Sequence, residues 1–126
     1  MIAHSWEDTP VEVAMPPVAE TRTVEGGGMT IAFERLAAGV ETAPLFRGLP
    51  DDACQSPHWG YVLTGRLRVV ATGGDEVVLH AGQAYYLAPG HNVVVEEDCE
   101  LVEFSPAQAR AATMEHAARA LAAQGA

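Results

Sequence analysis

The chain carries little positive charge. Lys and Arg together number seven against 17 Asp and Glu, which gives a formal net charge of −10 at pH 7. Phosphate backbones are bound by clustered cations, and the sequence contains no such cluster. We therefore predict neither a nucleic acid partner nor binding to an anionic membrane surface, and we attribute the acidity to solubility.

Cysteines and long apolar runs are also scarce. The chain has two cysteines, Cys54 and Cys99, whereas small secreted domains stapled by disulfides usually carry about four or more. The N-terminus lacks the basic region and apolar stretch of a signal peptide. No apolar run approaches the ~20 residues that span a bilayer. These absences predict free thiols in a cytoplasmic protein.

The 126 residues suit one domain, which at this size can bury roughly two-thirds of its unfolded surface. Short β-branched or aromatic stretches recur roughly every 8–12 residues with Gly-containing turns between them, a pattern that predicts a sandwich or barrel. The Thr64-Gly65-Arg66 triplet indicates a hairpin, and residues 96–100 indicate an acidic turn. The predicted strands include 22–24, Met29–Leu36, 41–47, 61–63, 67–71, 76–79, Ala84–Leu87, 93–96 and 100–104.

Three regions differ in character. Residues 1–20 contain three prolines and are expected to form an extended arm with at most one short strand. Residues 21–104 are expected to form the barrel, and residues 105–126 a helix. Ser105 is a good N-cap and Pro106 a good first helical residue. Alanine, the best helix former, dominates the residues after Pro106, and Gly125 stands near the predicted end of the helix.

Two segments, 51–65 and 81–92, resemble the paired motifs of the cupin superfamily. The first motif runs roughly G-x5-HxH-x3,4-E-x6-G, and Tyr61-Val62-Leu63-Thr64-Gly65 matches its closing YVLxG. Counting back from Gly65 places His58 at the position of the motif glutamate. With the shorter spacing, Cys54 and Asp52 occupy the positions of the second and first histidines.

The second motif runs roughly G-x5-PxG-x2-H-x3-N, and Gly82 and Gly90 match its glycines. The motif histidine would fall at Val93, but His91 lies two positions earlier. Side chains two apart on a strand share a face. The resemblance implies a small single-domain cupin with a divergent metal motif, folded as an all-β double-stranded β-helix, or jelly-roll barrel, with a C-terminal α-helix.

The altered motif supplies its own candidate metal ligands. Cys54, His58 and His91 form a nitrogen and sulfur donor set, to which Asp52 would add an oxygen. Such a set suits one divalent transition metal ion, zinc first, with iron, nickel, copper or manganese as alternatives. Each residue also has a structural interpretation, since the histidines can form ordinary hydrogen bonds, Cys54 can be an inert buried thiol, and Asp52 can be solvated.

The predicted small-molecule pocket draws on aromatic and acidic side chains. We assign Trp59, Tyr61, Tyr86 and Glu103 to substrate binding, with Tyr61 or Glu103 as candidates for proton transfer. Alternation along a strand places only one of Tyr85 and Tyr86 inside, and the sequence leaves open which one.

Three functions are compatible with this sequence. The first is a metal-dependent small-molecule enzyme of the isomerase, cyclase, lyase or dioxygenase type. The alternative is a small-molecule binding or sensing domain without metal. The third is a scaffold that dimerises through its arm and helix, and a homodimer is expected in any case. A fold that is reused so widely does not specify the reaction.

Overall fold

The computed structural model describes residues 1–124, so Gly125 and Ala126, which belong to the predicted helix end, lie outside the described residues. The chain forms an antiparallel β-structure that is followed by one helix. Its elements are β1 (Val11–Met15), β2 (Ala19–Gly26), β3 (Met29–Leu36), β4 (His58–Ala71), β5 (Glu76–His80), β6 (Ala84–Leu87), β7 (His91–Pro106) and α1 (Ala107–Gln124), with short 3₁₀ turns at Ala43–Leu45 and Pro50–Asp52. The prediction of an all-β architecture with a C-terminal helix is confirmed.

The two longest strands organise the sheet. β4 and β7 run antiparallel and pair from Trp59 with Phe104 to Ala71 with His91. The strand order is β1-β2-β3-β7-β4-β5, and β6 pairs with the first half of β4. His58 is the first residue of β4 and His91 is the first residue of β7. The candidate site is built on the beginnings of these two strands.

Residues 64–66 do not form the predicted hairpin, and residues 96–100 do not form a turn. The chain continues through both segments as β4 and β7, with register shifts near Val62, Thr64 and Arg66. Gly65 lies instead in a β-bulge and has a φ of +86°. A Cβ atom at this position would collide with the carbonyl oxygen of Asp98. Bulges commonly need glycine for such a conformation, which explains why the local sequence resembles a turn.

The strand predicted at 41–47 is wrong. Glu41 makes one isolated bridge to Val94, after which Ala43–Leu45 forms a 3₁₀ turn with Pro44 in its first positions. Proline has no N–H to donate to a sheet ladder. The β-like composition of this segment is therefore overridden at Pro44.

The helix begins later than predicted. β7 extends through Pro106 and α1 starts at Ala107. Ser105 is buried, and its hydroxyl lies 2.6 Å from Nδ1 of His58. The residue that we expected to cap the helix therefore belongs to the interior of the barrel.

Inward-facing apolar side chains of β4 to β7 form the main core. Because side chains alternate along a strand, Val62, Leu67 and Val69 point inwards from β4 and are almost completely buried. The cluster as a whole comprises Val62, Leu67, Val69, Leu79, Leu87, Val95, Cys99 and Leu101. A smaller cluster of Phe46, Cys54 and Ala117 joins the loop before β4 to α1.

An ion pair between the buried Arg110 and the partly exposed Glu12 ties β1 to α1. Both terminal nitrogens of Arg110 donate to the carboxylate of Glu12, at 2.7 and 2.9 Å, and Thr21 donates to the same group at 2.9 Å. Burial alone would raise the pKa of Glu12, but the hydrogen bonds and charge of Arg110 outweigh it and lower that pKa. The pair therefore holds the N-terminal strand against the helix.

Removing one member of this pair should destabilise the protein. Arg110→Met removes the hydrogen-bond partner of the partly exposed Glu12 carboxylate, and we expect a loss of about 2 kcal/mol in the free energy of unfolding, measured by urea denaturation. Adding Glu12→Gln should recover at least about 1 kcal/mol, since the double variant no longer contains an unpaired charge. The exposed Arg119–Glu115 pair provides the control, because Arg119→Met should cost less than about 0.5 kcal/mol. Equal effects of the two arginine variants would contradict the role of the Arg110 pair.

Candidate metal and small-molecule site

Three of the predicted metal ligands come together. One donor atom each from Cys54, His58 and His91 lies within 4.8 Å of the others. Backbone hydrogen bonds create this proximity, because the Cys54 N–H donates to the His91 carbonyl at 2.8 Å and the Gly90 N–H donates to the Cys54 carbonyl at 2.7 Å. The loop before β4 is thereby attached to the beginning of β7.

Both imidazoles use Nδ1 for hydrogen bonds, and Nε2 of His58 faces the Cys54 thiol. Nδ1 of His91 lies 2.8 Å from the Ala88 carbonyl, which can only accept, so this nitrogen carries the proton. Nδ1 of His58 lies 2.6 Å from Oγ of Ser105 and 3.3 Å from Oε1 of Glu103. Metal-binding histidines usually place their second nitrogen against such a partner, which fixes the tautomer and the ring orientation.

The spacing of the donors fits a transition metal ion. Sγ of Cys54 lies 3.4 Å from Nε2 of His58. Two ligands of one tetrahedral zinc ion, at about 2.3 Å for sulfur and 2.0–2.1 Å for nitrogen, would lie about 3.5 Å apart. The rings of His58 and His91 meet edge to face with centroids 5.0 Å apart. The Cys54, His58 and His91 cluster therefore has the donor types and separations to hold an ion.

Burial keeps all three donors uncharged. Burial, followed by the charges of His91 and Arg110, lowers the pKa of His58 to about 3, and burial also lowers the pKa of His91. Burial raises the pKa of the Cys54 thiol to about 11. At neutral pH the site therefore presents two neutral imidazoles and a thiol, which must lose its proton when it binds a metal.

The fourth predicted ligand, Asp52, lies outside this cluster. Its Oδ1 accepts a hydrogen bond from the Gly48 N–H at 2.8 Å, so the carboxylate is directed into its own loop. Asp51 and Asp52 both have positive φ, at 56° and 52°, a conformation that aspartate tolerates better than most residues. This turn in the backbone separates the Asp52 side chain from Cys54.

A carboxyl pair lies beside the cluster. Oε1 of Glu103 in β7 lies 3.3 Å from Nδ1 of His58, and its carboxyl group neighbours Glu34 of β3 and the Tyr85 hydroxyl. Burial and the neighbouring Glu34 raise the pKa of Glu103 well above its ordinary value. Burial, Glu103 and Glu34 likewise raise the pKa of Tyr85. The pair can therefore hold a proton near the candidate metal ligands.

A large cavity connects these groups. It has a volume of about 890 Å³ and extends between the inner strand faces and α1. This size falls within the range of pockets that bind small organic molecules. The cavity is mostly apolar and contains the three candidate donors, Glu34, Glu103, Tyr85 and the Glu12–Arg110 pair.

Three aromatic residues assigned to the pocket lie elsewhere. Trp59, Tyr61 and Tyr86 are 44%, 41% and 56% exposed and do not line the cavity. His58 and Gly60 face inwards on β4, so the alternating positions 59 and 61 must face outwards. Tyr85 pairs with Gly60 and lines the cavity, while Tyr86 pairs with Trp59 on the outer face. Of the four residues assigned to substrate binding, the cavity contains only Glu103.

Sequence reasoning missed Glu34, Ser105 and Arg110. The inner positions of β3 include Ala32 and Glu34, but the outer positions Ile31 and Phe33 are more apolar, so composition alone favours the wrong inner face. Ser105 resembles a helix cap, and Arg110 resembles a solvated helical charge. The one available signal was strand parity, because Ser105 and Glu103 lie two apart and share a face.

Comparison with known proteins identifies the fold only through structure. No family model matches the chain, and no curated protein matches it in sequence. Solved structures do match. They include an RmlC-like cupin from Shewanella frigidimarina, with a TM-score of 0.59, 18% identity and coverage of 82% of this chain and 88% of that one.

Two enzymes are also among the similar structures. Ectoine synthase from P. lautus matches with a TM-score of 0.61 and 17% identity over 84% of this chain and 78% of the other. Oxalate decarboxylase from Bacillus subtilis matches with a TM-score of 0.58 and 19% identity over 82% of this chain, which spans 28% of the decarboxylase. Among the described residues, no helix is long and apolar enough to span a membrane. The antiparallel barrel, its C-terminal helix and these structural neighbours show that the chain has the cupin jelly-roll fold.

Proposed function

We propose that the protein is a metal-dependent enzyme acting on a small organic molecule, with one divalent transition metal ion at Cys54, His58 and His91. The observation that carries the proposal is the convergence of three neutral donors, with Nδ1 of each histidine held by a hydrogen bond, inside a cavity of about 890 Å³. Enzymes among the structural neighbours, an ectoine synthase and an oxalate decarboxylase, show that this fold supports catalysis.

Zinc is the first choice among the ions. Two imidazoles and a thiolate form a borderline-soft set that suits zinc, with iron, nickel and manganese as the next candidates. Three protein ligands leave a position open for water or substrate, as in catalytic rather than structural sites. An ion held in this way would polarise a substrate oxygen or lower the pKa of a water molecule.

The residues around the cluster favour proton-transfer chemistry. Glu103 lies next to His58, its raised pKa favours a protonated carboxyl group, and the Tyr85 hydroxyl neighbours that group. Apolar side chains that include Leu67, Leu87 and Val95 line the cavity beside these groups. Isomerisation, cyclisation and elimination each need such a group to give or take a proton, so we place these reactions ahead of dioxygenation.

One observation favours a second candidate, a metal-free binding or sensing domain. The Cys54 thiol and Nε2 of His58 lie 3.4 Å apart, so they can form a hydrogen bond with each other and leave no buried donor atom unpaired. In that case the cavity would bind an organic ligand without catalysing a reaction.

Metal content and its dependence on pH test the proposal. We expect one ion per chain in elemental analysis of the untagged protein, or after incubation with zinc, iron, nickel or manganese. Because the pKa of the Cys54 thiol is about 11 and the imidazoles are neutral, binding should release one proton. The apparent affinity should then rise about tenfold per pH unit between roughly pH 7 and 9. Calorimetry in two buffers of different ionisation enthalpy measures the released proton.

Failure to bind any of the four ions would contradict the enzyme proposal and leave the metal-free domain. Binding without proton release would mean that Cys54 is not a ligand.

A further inference from the structure

Most of the cavity wall is aliphatic. Five elements contribute side chains to it, among them Val13 of β1, Val24 of β2, Leu67 of β4, Val95 of β7 and Leu121 of α1. The volume of about 890 Å³ is enough for an organic molecule of drug size. Each CH₂ group that a ligand buries against such a wall raises its affinity about fourfold. The wall therefore favours a ligand with a long hydrocarbon part.

The polar groups around the proposed metal ligands lie close together. Nε2 of His58 lies 3.4 Å from Sγ of Cys54, and the rings of His58 and His91 meet edge to face. Oε1 of Glu103 lies 3.3 Å from Nδ1 of His58, and the Tyr85 hydroxyl neighbours the same carboxyl group. A ligand that fills the cavity can therefore place one polar group here and its hydrocarbon part against the aliphatic wall.

The cavity lacks the free cation that an anionic ligand needs. All seven basic residues of the chain are arginines, and Arg110 is the one that lines the cavity among residues 1–124. Both of its terminal nitrogens donate to Glu12, at 2.7 and 2.9 Å, so its charge is already paired. In the same part of the chain, the one buried side-chain nitrogen or oxygen without a hydrogen-bond partner belongs to His4, outside the cavity. An unpaired charge is costly to bury.

Glutamates at the opening also disfavour anions. Glu25, Glu41 and Glu115 line the cavity and are exposed to solvent, so they lie towards its opening. Arg119 lies 2.8 Å from Glu115 and offsets that one charge. The chain as a whole carries a net charge of −10. Because a field of one sign steers ligands during their approach, anions are repelled before they reach the cavity.

The carboxyl groups beside the cluster disfavour a charge of either sign on the polar group of the ligand. A carboxylate bound to the proposed ion would lie next to Glu34 and Glu103 and be repelled by them. An ammonium held by these two residues would lie near the ion, because Glu103 contacts its proposed ligand His58. An uncharged oxygen avoids both repulsions and can still approach the ion.

We propose that the ligand of the cavity is an uncharged carbonyl compound with a long hydrocarbon part, whose oxygen lies at the Cys54, His58 and His91 cluster. The position of the oxygen rests on the proposed function. The hydrocarbon part and the exclusion of anions rest on the wall of the cavity, on the paired Arg110 and on the acidic opening.

Calorimetric titration of the zinc-loaded protein at about pH 7 with three ligands of equal chain length tests the charge. Octan-2-one is uncharged, octanoate is an anion and octylamine is a cation at this pH. We expect octan-2-one to bind at least about tenfold more tightly than either of the others. Butan-2-one is shorter by four CH₂ groups and should bind at least about 50-fold more weakly than octan-2-one.

A cation placed in the wall locates the binding site. Met114 lines the cavity from α1, so Met114→Lys supplies the positive charge that the wild type lacks, and octanoate should bind at least about tenfold more tightly than to the wild type. Ala112→Lys is the matched control, since Ala112 is exposed on the same helix and does not line the cavity. It should leave the affinity for octanoate unchanged. Circular dichroism spectra that match the wild type establish that both variants are folded.

Tighter binding of octanoate or octylamine than of octan-2-one to the wild type would overturn the proposal. Equal affinities for butan-2-one and octan-2-one, or no binding of either ketone, would overturn it as well. Elemental analysis of the same samples separates this outcome from a failure of the proposed function. A protein that holds zinc but prefers octanoate contradicts the ligand class alone. A protein that holds no metal and still prefers octan-2-one supports the ligand class and contradicts the enzyme.

Discussion

Replacing His58 by alanine is expected to lower the affinity of the protein for zinc by at least about 100-fold. Structural zinc sites bind with about 10–16 kcal/mol shared among four ligands, so one ligand accounts for about 3 kcal/mol, a factor of at least about 100. The same loss is expected for Cys54→Ala and His91→Ala, since each supplies one donor atom of the cluster. Competition with a chromogenic chelator measures all three affinities.

Two further substitutions make this test specific. Asp52→Ala should keep wild-type affinity, because its carboxylate bonds to Gly48 and lies outside the cluster. Ser105→Ala removes the partner 2.6 Å from Nδ1 of His58 and should weaken binding by about 10-fold, the lower end of the effect of an outer partner. Zinc affinity that falls in Asp52→Ala and persists in His58→Ala would show that the ion binds elsewhere.

Acid is expected to destabilise the metal-free protein steeply through His58. Its pKa is about 3 in the folded chain and 6.5 as an ordinary value, so the unfolded chain binds the proton first as the pH falls. The contribution of neutral His58 to stability is therefore complete above about pH 6.5 and is lost by about 1.4 kcal/mol per pH unit towards pH 3. The depressed pKa of His91 acts in the same direction.

Glu103 opposes this trend, so the effect of His58 must be measured by difference. The raised pKa of Glu103 means that its contribution is present below about pH 4.5 and is lost as the pH rises through its folded pKa. The comparison is therefore between the wild type and His58→Asn, both treated with chelator, in urea unfolding from pH 7 to 4. The wild type should lose its stability advantage by about 1.4 kcal/mol per pH unit relative to the variant.

The exposed His80 provides the control for this measurement. His80→Asn makes the same substitution at an exposed histidine of β5, outside the cluster. If His58→Asn shows the same pH dependence as the wild type, His58 is not neutral in the folded protein.

The strands and the helix could largely be predicted from the sequence because their signals are local. The β-branched stretch Met29–Leu36 and the alanine-rich stretch after Pro106 form a strand and a helix as expected. The glycines and the YVLTG segment likewise indicated the cupin fold. Errors arose where one local signal has two structural outcomes, as at Gly65, which allows a bulge as readily as a turn.

The candidate donors could also be selected from residue type and spacing, but their geometry could not. Cys54 and His58 lie four positions apart, and His91 lies two before the motif position, so they were natural choices. Asp52 was an equally natural choice, and the positive φ values at Asp51 and Asp52 direct it away. Which of these side chains meet depends on the backbone bonds between Cys54 and the beginning of β7, a contact between residues far apart in sequence.

Local sequence is sufficient for most of the elements and for the two-residue alternation within each strand. Alternation separates Tyr85 from Tyr86 and Trp59 from His58, but it does not say which of the two faces is enclosed. Which face is enclosed is decided only in the folded chain, where one face of each strand packs against the core and lines the cavity beside α1. For the same reason, Glu103, Ser105 and Glu34 became neighbours of the candidate metal cluster, and the aromatic residues were left on the outside.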